Sequence, residues 1–458
     1  MRTLALGLAC VVVGCGGGGG GGGGGDDAPP GGDGGLVPDG PPPGTPLGQR
    51  LTVKTVSAAA GVMAGDSNWR IWGQSSLRVA PVFTVPYGDC GTLIGYTTGG
   101  ASPSAHVARL DANDALVATY DLGAFELRGL AAEPDGHFAA LLWDHTTNPK
   151  SLRVTRYDPS GANPRASQLP DALAAPTDFN IGETRLAFGG GKYAAYYHVH
   201  GISGFANGHE GDQYKLVDAQ TGAVTNVWSW GCSHSMSEAL RWEDGGARFI
   251  AACVTDCYPG TSGGNFATDS IGGIYIDNAK KVLSVDAGCN GSVAAELGSL
   301  APAPGGSKLV FNAHQAPATM GQSSYSPSTM NQDIGLATIG PTGAAAGNVV
   351  WLTTTPGNEQ NSSIAAWHPA GDAAEQYLIG WSEGTSTRTY KLGRFAADGR
   401  VLEAPIDVTA MAKWGERDDP FREHRNHDVV WAWFDAAGST MLKLARVSSG
   451  QTAQCATF

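Results

Sequence analysis

The chain has 458 residues, a formal net charge of −13 and only 16% charged residues. The acidic excess repels phosphate, which argues against a nucleic-acid partner and against an anionic polymer as substrate. A body of this length exceeds one ordinary hydrophobic core unless repetition builds it.

The first element reads as an export signal. Met1-Arg2-Thr3 gives a basic start, Leu4 to Val13 an apolar core, and Gly14 a small residue ahead of Cys15, the order that directs a chain to secretion. The apolar core is about half the roughly twenty residues that a membrane-spanning helix requires. Val12-Val13-Gly14-Cys15 resembles the lipobox of bacterial lipoproteins. The resemblance implies cleavage before Cys15, acylation of its sulfur and attachment to the lipid bilayer. Cys10 leaves too little apolar core ahead of it to compete. Gly16 after the cysteine carries no inner-membrane retention signal under the Gram-negative rule, which implies the outer membrane. Gly16 to Gly25 is unbroken glycine, and Pro, Gly and Asp dominate the stretch from Asp26 to Pro46. Such a composition buries nothing and reads as a flexible tether. The expected organisation is signal peptide 1–15, tether 16–49 and folded body 50–458, a monomer in the cell envelope.

Beyond Cys10 and Cys15 stand Cys90, Cys232, Cys253, Cys257, Cys289 and Cys455. An even number in an exported chain predicts three disulfides. Cys253 with Cys257, across Val-Thr-Asp, is the first expectation, and Cys232 with Cys289 and Cys90 with Cys455 then remain.

The body is rich in short runs of Val, Ile, Leu, Tyr, Phe and Trp between Gly, Asp, Asn and Pro, an all-β pattern. One recurring unit is typified by Gly91-Thr-Leu-Ile-Gly-Tyr96, Gly191-Lys-Tyr-Ala-Ala-Tyr-Tyr197 and Gln376-Tyr-Leu-Ile-Gly-Trp381. A second lies downstream of each, as in Val107-Ala-Arg-Leu-Asp111, Tyr214-Lys-Leu-Val-Asp218 and Leu392-Gly-Arg-Phe395. Each unit occurs seven times, and the alternation at blade-like spacing predicts a seven-bladed β-propeller with the two units as strands b and c. Six or eight blades are the neighbouring counts, and a pair of β-sandwich domains is the competing architecture. Leu51 to Val56 is expected to close the ring beside the last blade. In shape the chain resembles quinoprotein-like and Kelch-like propellers, without their recurring signatures.

In such a disc the b–c and d–a loops share one face, and unusual residues concentrate there. Four of the eleven histidines, His198, His200, His209 and His234, lie within one short stretch together with Asp212. His198 and His200, two apart on a strand, share a side, so with Asp212 these residues form a candidate set for a divalent metal ion. The competing reading is a long insertion ordered by hydrogen bonds among these residues. Glu416, Asp418 and Asp419 lie in the only dense charge cluster and are candidate acid/base carboxylates for glycoside chemistry, against a solvated, ion-paired loop. Trp143, Trp381, Trp431 and Trp433 fall in strand runs and read as core, whereas Trp228, Trp230, Trp367 and Trp414 read as surface aromatics. The leading expectation is a tethered propeller that binds an extracellular protein, peptide or glycan. A metal-assisted or acid/base hydrolase or lyase of an extracellular polymer is the alternative, and a structural surface protein the third.

Overall fold

β-Branched and aromatic runs bounded by turn residues form strands because such side chains pack well on a pleated surface. In a computed structural model of the chain, the described residues are 44–65, 79–144, 146, 150–169, 179–201, 210–233, 237–256, 272–285, 287–288, 292–293, 295–315, 331–384, 387–414, 419–452 and 455. They form seven four-stranded antiparallel sheets, each ordered a-b-c-d from one edge to the other. Blades 1 to 6 cover 83–123, 126–168, 179–233, 237–284, 295–351 and 359–407. The chain is an all-β, seven-bladed propeller, and the two repeating units are strands b and c of every blade.

Blade 7 is composite. Strands a (Arg422–Glu423), b (Val429–Phe434) and c (Met441–Val447) come from the C-terminal end, and Leu51–Ser57 adds strand d. It pairs in unbroken register from Leu51 opposite Val447 to Ser57 opposite Met441. A helical turn, Leu47–Arg50, precedes it, with Leu47 and Arg50 both buried, so packing begins just ahead of the strand.

Strand a of each blade touches strand a of the next, and blade 7 returns to blade 1. Between each neighbouring pair lies one apolar layer. Leu93, Leu127 and Phe138 fill the layer between blades 1 and 2, and Leu378, Trp367 and Trp431 that between blades 6 and 7. A blade buries both of its faces, so strand b is a continuous apolar run rather than an alternating one, as in the fully buried Thr92–Thr98.

Cys90 is bonded to Cys455, with Cα atoms 5.1 Å apart. Cys232 is bonded to Cys253, with Cα atoms 6.4 Å apart. Both separations suit a disulfide. The expected Cys253–Cys257 and Cys232–Cys289 pairings therefore give way to a bond between blades 3 and 4. Strand b of blade 4 runs on to Thr255, so Cys253 stands within a strand and not in a small loop. Cys257 and Cys289 lie outside the described residues. Two disulfides point to an oxidising, extracytoplasmic compartment. Among the described residues no helix is long and apolar enough to cross a membrane.

Candidate metal centre

Blade 3 consists of strands a (Phe179–Gly189), b (Lys192–Gly201), c (Glu210–Asp218) and d (Val224–Ser233), and strand a of blade 4 is Ser237–Glu243. His198, near the end of strand b, stands directly opposite Asp212 near the start of strand c. Glu238, second in strand a of blade 4, completes the group. One ligand atom from each of His198, Asp212 and Glu238 lies within 4.8 Å of the other two, and all three residues are fully buried. Nδ1 of His198 is 3.5 Å from Oδ1 of Asp212. The Tyr196 hydroxyl donates to Oδ2 of Asp212, leaving Oδ1 facing the cluster. The disulfide seals one side, its sulfurs within 4.8 Å of an Asp212 oxygen.

Two acids in this space conflict electrostatically. Burial, and then the Asp212 and Glu183 carboxylates, push the Glu238 carboxyl well above its usual range, while Arg185 pulls the other way. No N–H or O–H of another described residue donates to either Glu238 oxygen. Arg185 is ion-paired to Glu183, and its Nε lies 3.6 Å from Oδ2 of Asp419, a contact between blade 3 and the segment leading into blade 7. Arg422 approaches the same Asp419 oxygen at 3.6 Å. The Glu183, Asp212, Glu238 and Asp419 carboxylates and the Arg185 and Arg422 guanidiniums thus share one network.

Of the sequence candidates, His198 and Asp212 are brought together. His200 stands opposite Glu210 in the same strand pair, with its side chain outside the described residues. His209, His234, Glu416 and Asp418 also lie outside them. Asp419 engages both guanidiniums and is buried. Trp367 and Trp414 are corrections to the expected surface set, because both are buried. Trp414 donates to the Asn361 carbonyl at 2.9 Å, and the Arg50 and Arg394 guanidiniums lie over the Trp367 ring at 5.5 and 5.7 Å from its centroid. Trp228 is half-buried against Tyr214, with ring centroids 4.5 Å apart.

Glu238 is the residue that sequence reasoning missed, and it belongs to a series. Glu126, Glu238, Glu296 and Glu359 each stand first or second in strand a of blades 2, 4, 5 and 6, and Glu183 lies in strand a of blade 3. All five are buried. Glu126 is neutralised by Arg128 at 2.8 Å. A Glu in phase with the repeat, ahead of an Arg in Glu126-Leu-Arg128 and Glu183-Thr-Arg185, is the signal that finds them.

No protein-family model and no curated protein matches the chain. Among solved structures, a polysaccharide lyase, Uly1, aligns over 87% of this chain and 99% of its own at 8% identity and a TM-score of 0.44. An α-L-arabinanase from Penicillium chrysogenum aligns over 87% and 100% at 9% identity and a TM-score of 0.44. The propeller domain of the trilobed protease from Pyrococcus furiosus aligns over 84% and 98% at 10% identity and a TM-score of 0.41. At this level the likeness concerns the fold alone.

Glu359 gives a separate titration test of the strand a series. Burial pushes its carboxyl up to about 7, the Thr355 and Thr353 hydroxyls oppose the rise, and Asp333 adds to it. The unfolded carboxyl titrates near 4.3, so between about pH 4.5 and 7 the native chain binds more protons than the unfolded one. Stability from this group is therefore lost as pH rises through that window. Glu359→Gln, neutral throughout, is expected to stabilise the protein by roughly 2–3 kcal/mol at pH 8 and by nearly nothing at pH 4. Calorimetric melting across this range checks it, and a variant–parent gap independent of pH contradicts it.

Proposed function

We propose that this chain is an exported propeller, anchored in the bilayer through lipidated Cys15, that works as a cation-organised binding module for an extracellular protein, peptide or glycan. The observation that carries the reading is the convergence of His198, Asp212 and Glu238 in a fully buried cluster. Carboxylates and an imidazole are suitable donors for a divalent cation, and such a cation relieves the repulsion between the Asp212 and Glu238 carboxylates.

The cluster sits beside the ends of strands b and d of blade 3 and the starts of strand c of blade 3 and strand a of blade 4, so a bound ion would tie these strand ends together. Long b–c connections, 256–272 and 314–332, occur on blades 4 and 5, against a–b turns such as 190–191 and 304–305. Length and chemistry thus favour the b–c face of blades 3 to 5 for the ligand. A catalytic metal keeps an open coordination position, whereas this cluster is enclosed, which favours an organising role over hydrolase or lyase chemistry. Leu51 lies opposite Val447, at the a–b end of blade 7. The chain therefore joins the disc on the face opposite the b–c connections.

Titrating the detergent-purified mature chain with Mn²⁺ is expected to raise its melting temperature, with about 2.7 kcal/mol gained at one hundred times the dissociation constant. Asp212→Asn and Glu238→Gln should each remove that shift. Equal shifts in the parent and both variants overturn the proposal.

A further inference from the structure

The opposite face carries a second, independent donor set. His368 comes from the a–b connection of blade 6, Glu423 from the end of strand a of blade 7, and His427 from the a–b turn after it. One ligand atom from each lies within 4.8 Å of the other two. Nδ1 of His427 is 2.6 Å from Oε1 of Glu423, and the His368 and His427 rings meet edge to face with centroids 4.7 Å apart. All three residues are half-buried, and the His427 side chain is 36% exposed, so one side of the group opens to solvent.

The backbone holds these groups in place. The His427 N–H donates to the His424 carbonyl and the His424 N–H to the Asp428 carbonyl, each at 2.8 Å. This closes a tight turn in which His427 adopts φ 61°, a left-handed conformation uncommon for any residue but glycine. The Ala370 N–H donates to the Ser449 carbonyl at 2.8 Å, and Nε2 of Gln451 donates to the His368 carbonyl at 2.6 Å. The loop that bears His368 is therefore fastened to the C-terminal segment that Cys455 ties to Cys90.

We propose that His368, Glu423 and His427 form a zinc-class divalent metal site whose fourth coordination position is open to water on the a–b face. Two imidazoles and one carboxylate are a donor set of open zinc sites, and nitrogen donors select zinc over calcium or magnesium, which take oxygen. With metal–ligand bonds near 2.1 Å, tetrahedral donors stand about 3.4 Å apart. The three ligand atoms lie within 4.8 Å of one another, so side-chain rotation on a fixed backbone brings them to that spacing. The Glu423–His427 hydrogen bond is the metal-free arrangement, and the ion takes its place. The enclosed cluster in blades 3 and 4 offers one nitrogen and two carboxylates on the other face, so the two sites differ in both ion preference and access.

The test is calorimetric titration of Zn²⁺ into the detergent-purified chain, without a histidine tag and carrying Glu238→Gln to silence the enclosed cluster. One zinc per chain is expected, with affinity at least tenfold weaker after His368→Ala and after His427→Asn. Asn tolerates the left-handed turn, and unchanged metal-free melting shows that each variant is folded. Should one variant melt early, the other, on a different blade, decides the question. Co²⁺ loading is expected to give a visible ligand-field spectrum that both variants abolish. No zinc binding, or the same affinity in parent and variants, overturns the proposal. Failure of Mn²⁺ to bind the enclosed cluster leaves this result untouched.

Discussion

Removing residues up to Ser57 is expected to unfold the propeller, whereas removing those ahead of Thr45 leaves it folded. The first truncation deletes strand d of blade 7 together with buried Leu47, Leu51 and Val56. Each buried aliphatic side chain contributes about 1.5–3 kcal/mol, so three account for roughly 5–9 kcal/mol, comparable with the whole stability of a typical domain. The lost pairing also uncovers the edge of Met441–Val447, a template for aggregation. Leu47, whose N–H donates to Oε1 of Glu403 at 2.7 Å, also joins the closing segment to blade 6. The Cys90–Cys455 bond spans 365 residues and fastens the same seam. Its removal as Cys90→Ser with Cys455→Ser is expected to cost about 6 kcal/mol on the chain-entropy account. Circular dichroism and size-exclusion chromatography check the truncations. A folded, monomeric product lacking residues up to Ser57 contradicts the closure described here.

Arg446 is the second large effect. From strand c of blade 7 its guanidinium reaches the c–d turn of blade 1, with Nε 2.9 Å from Oδ2 of Asp114 and a second nitrogen on Oδ1. Its remaining nitrogen lies 2.9 Å from Oδ2 of Asp428. Asp114 and Asp428 are buried, so Arg446→Met leaves two carboxylates without their cation. Breaking a buried ion pair on one side costs roughly 3–5 kcal/mol, whereas replacing the whole set by neutral groups is often close to neutral. Arg446→Met should therefore melt far below the parent, and adding Asp114→Asn and Asp428→Asn should restore most of the loss. If the triple variant is no more stable than the single one, the cost is lost packing rather than uncompensated charge.

Strands b and c were legible because a blade buries both their faces, which writes them as unbroken apolar runs such as Phe138–Asp144. Apart from the closing Leu51–Ser57, strand d was not, because its exposed positions, as in Leu116–Gly123, share the composition of loops. Strand a was hidden for another reason, since it carries the Glu and Arg residues that line the middle of the ring. Composition singled out His198 and Asp212 only as members of a set with His200, His209 and His234, because the register that sets the two opposite each other depends on the b–c hairpin. Glu238 belongs to the next blade, so no local spacing joins it to them. The short-loop preference misplaced Cys253 because local separation outweighed strand continuity. Trp367 and Trp414, flanked by turn and charged residues, read as surface groups. They are buried because the blade 6–7 layer and the N-terminal Leu47–Arg50 turn close over them.

The most direct measurement is anomalous X-ray diffraction from crystals of the protein grown with Mn²⁺. A single strong peak bonded to Asp212, Glu238 and His198 between blades 3 and 4 is the predicted result. A cluster without that peak, with Glu238 keeping its proton against Asp212 while the ion sits elsewhere, would contradict a cation-organised binding face.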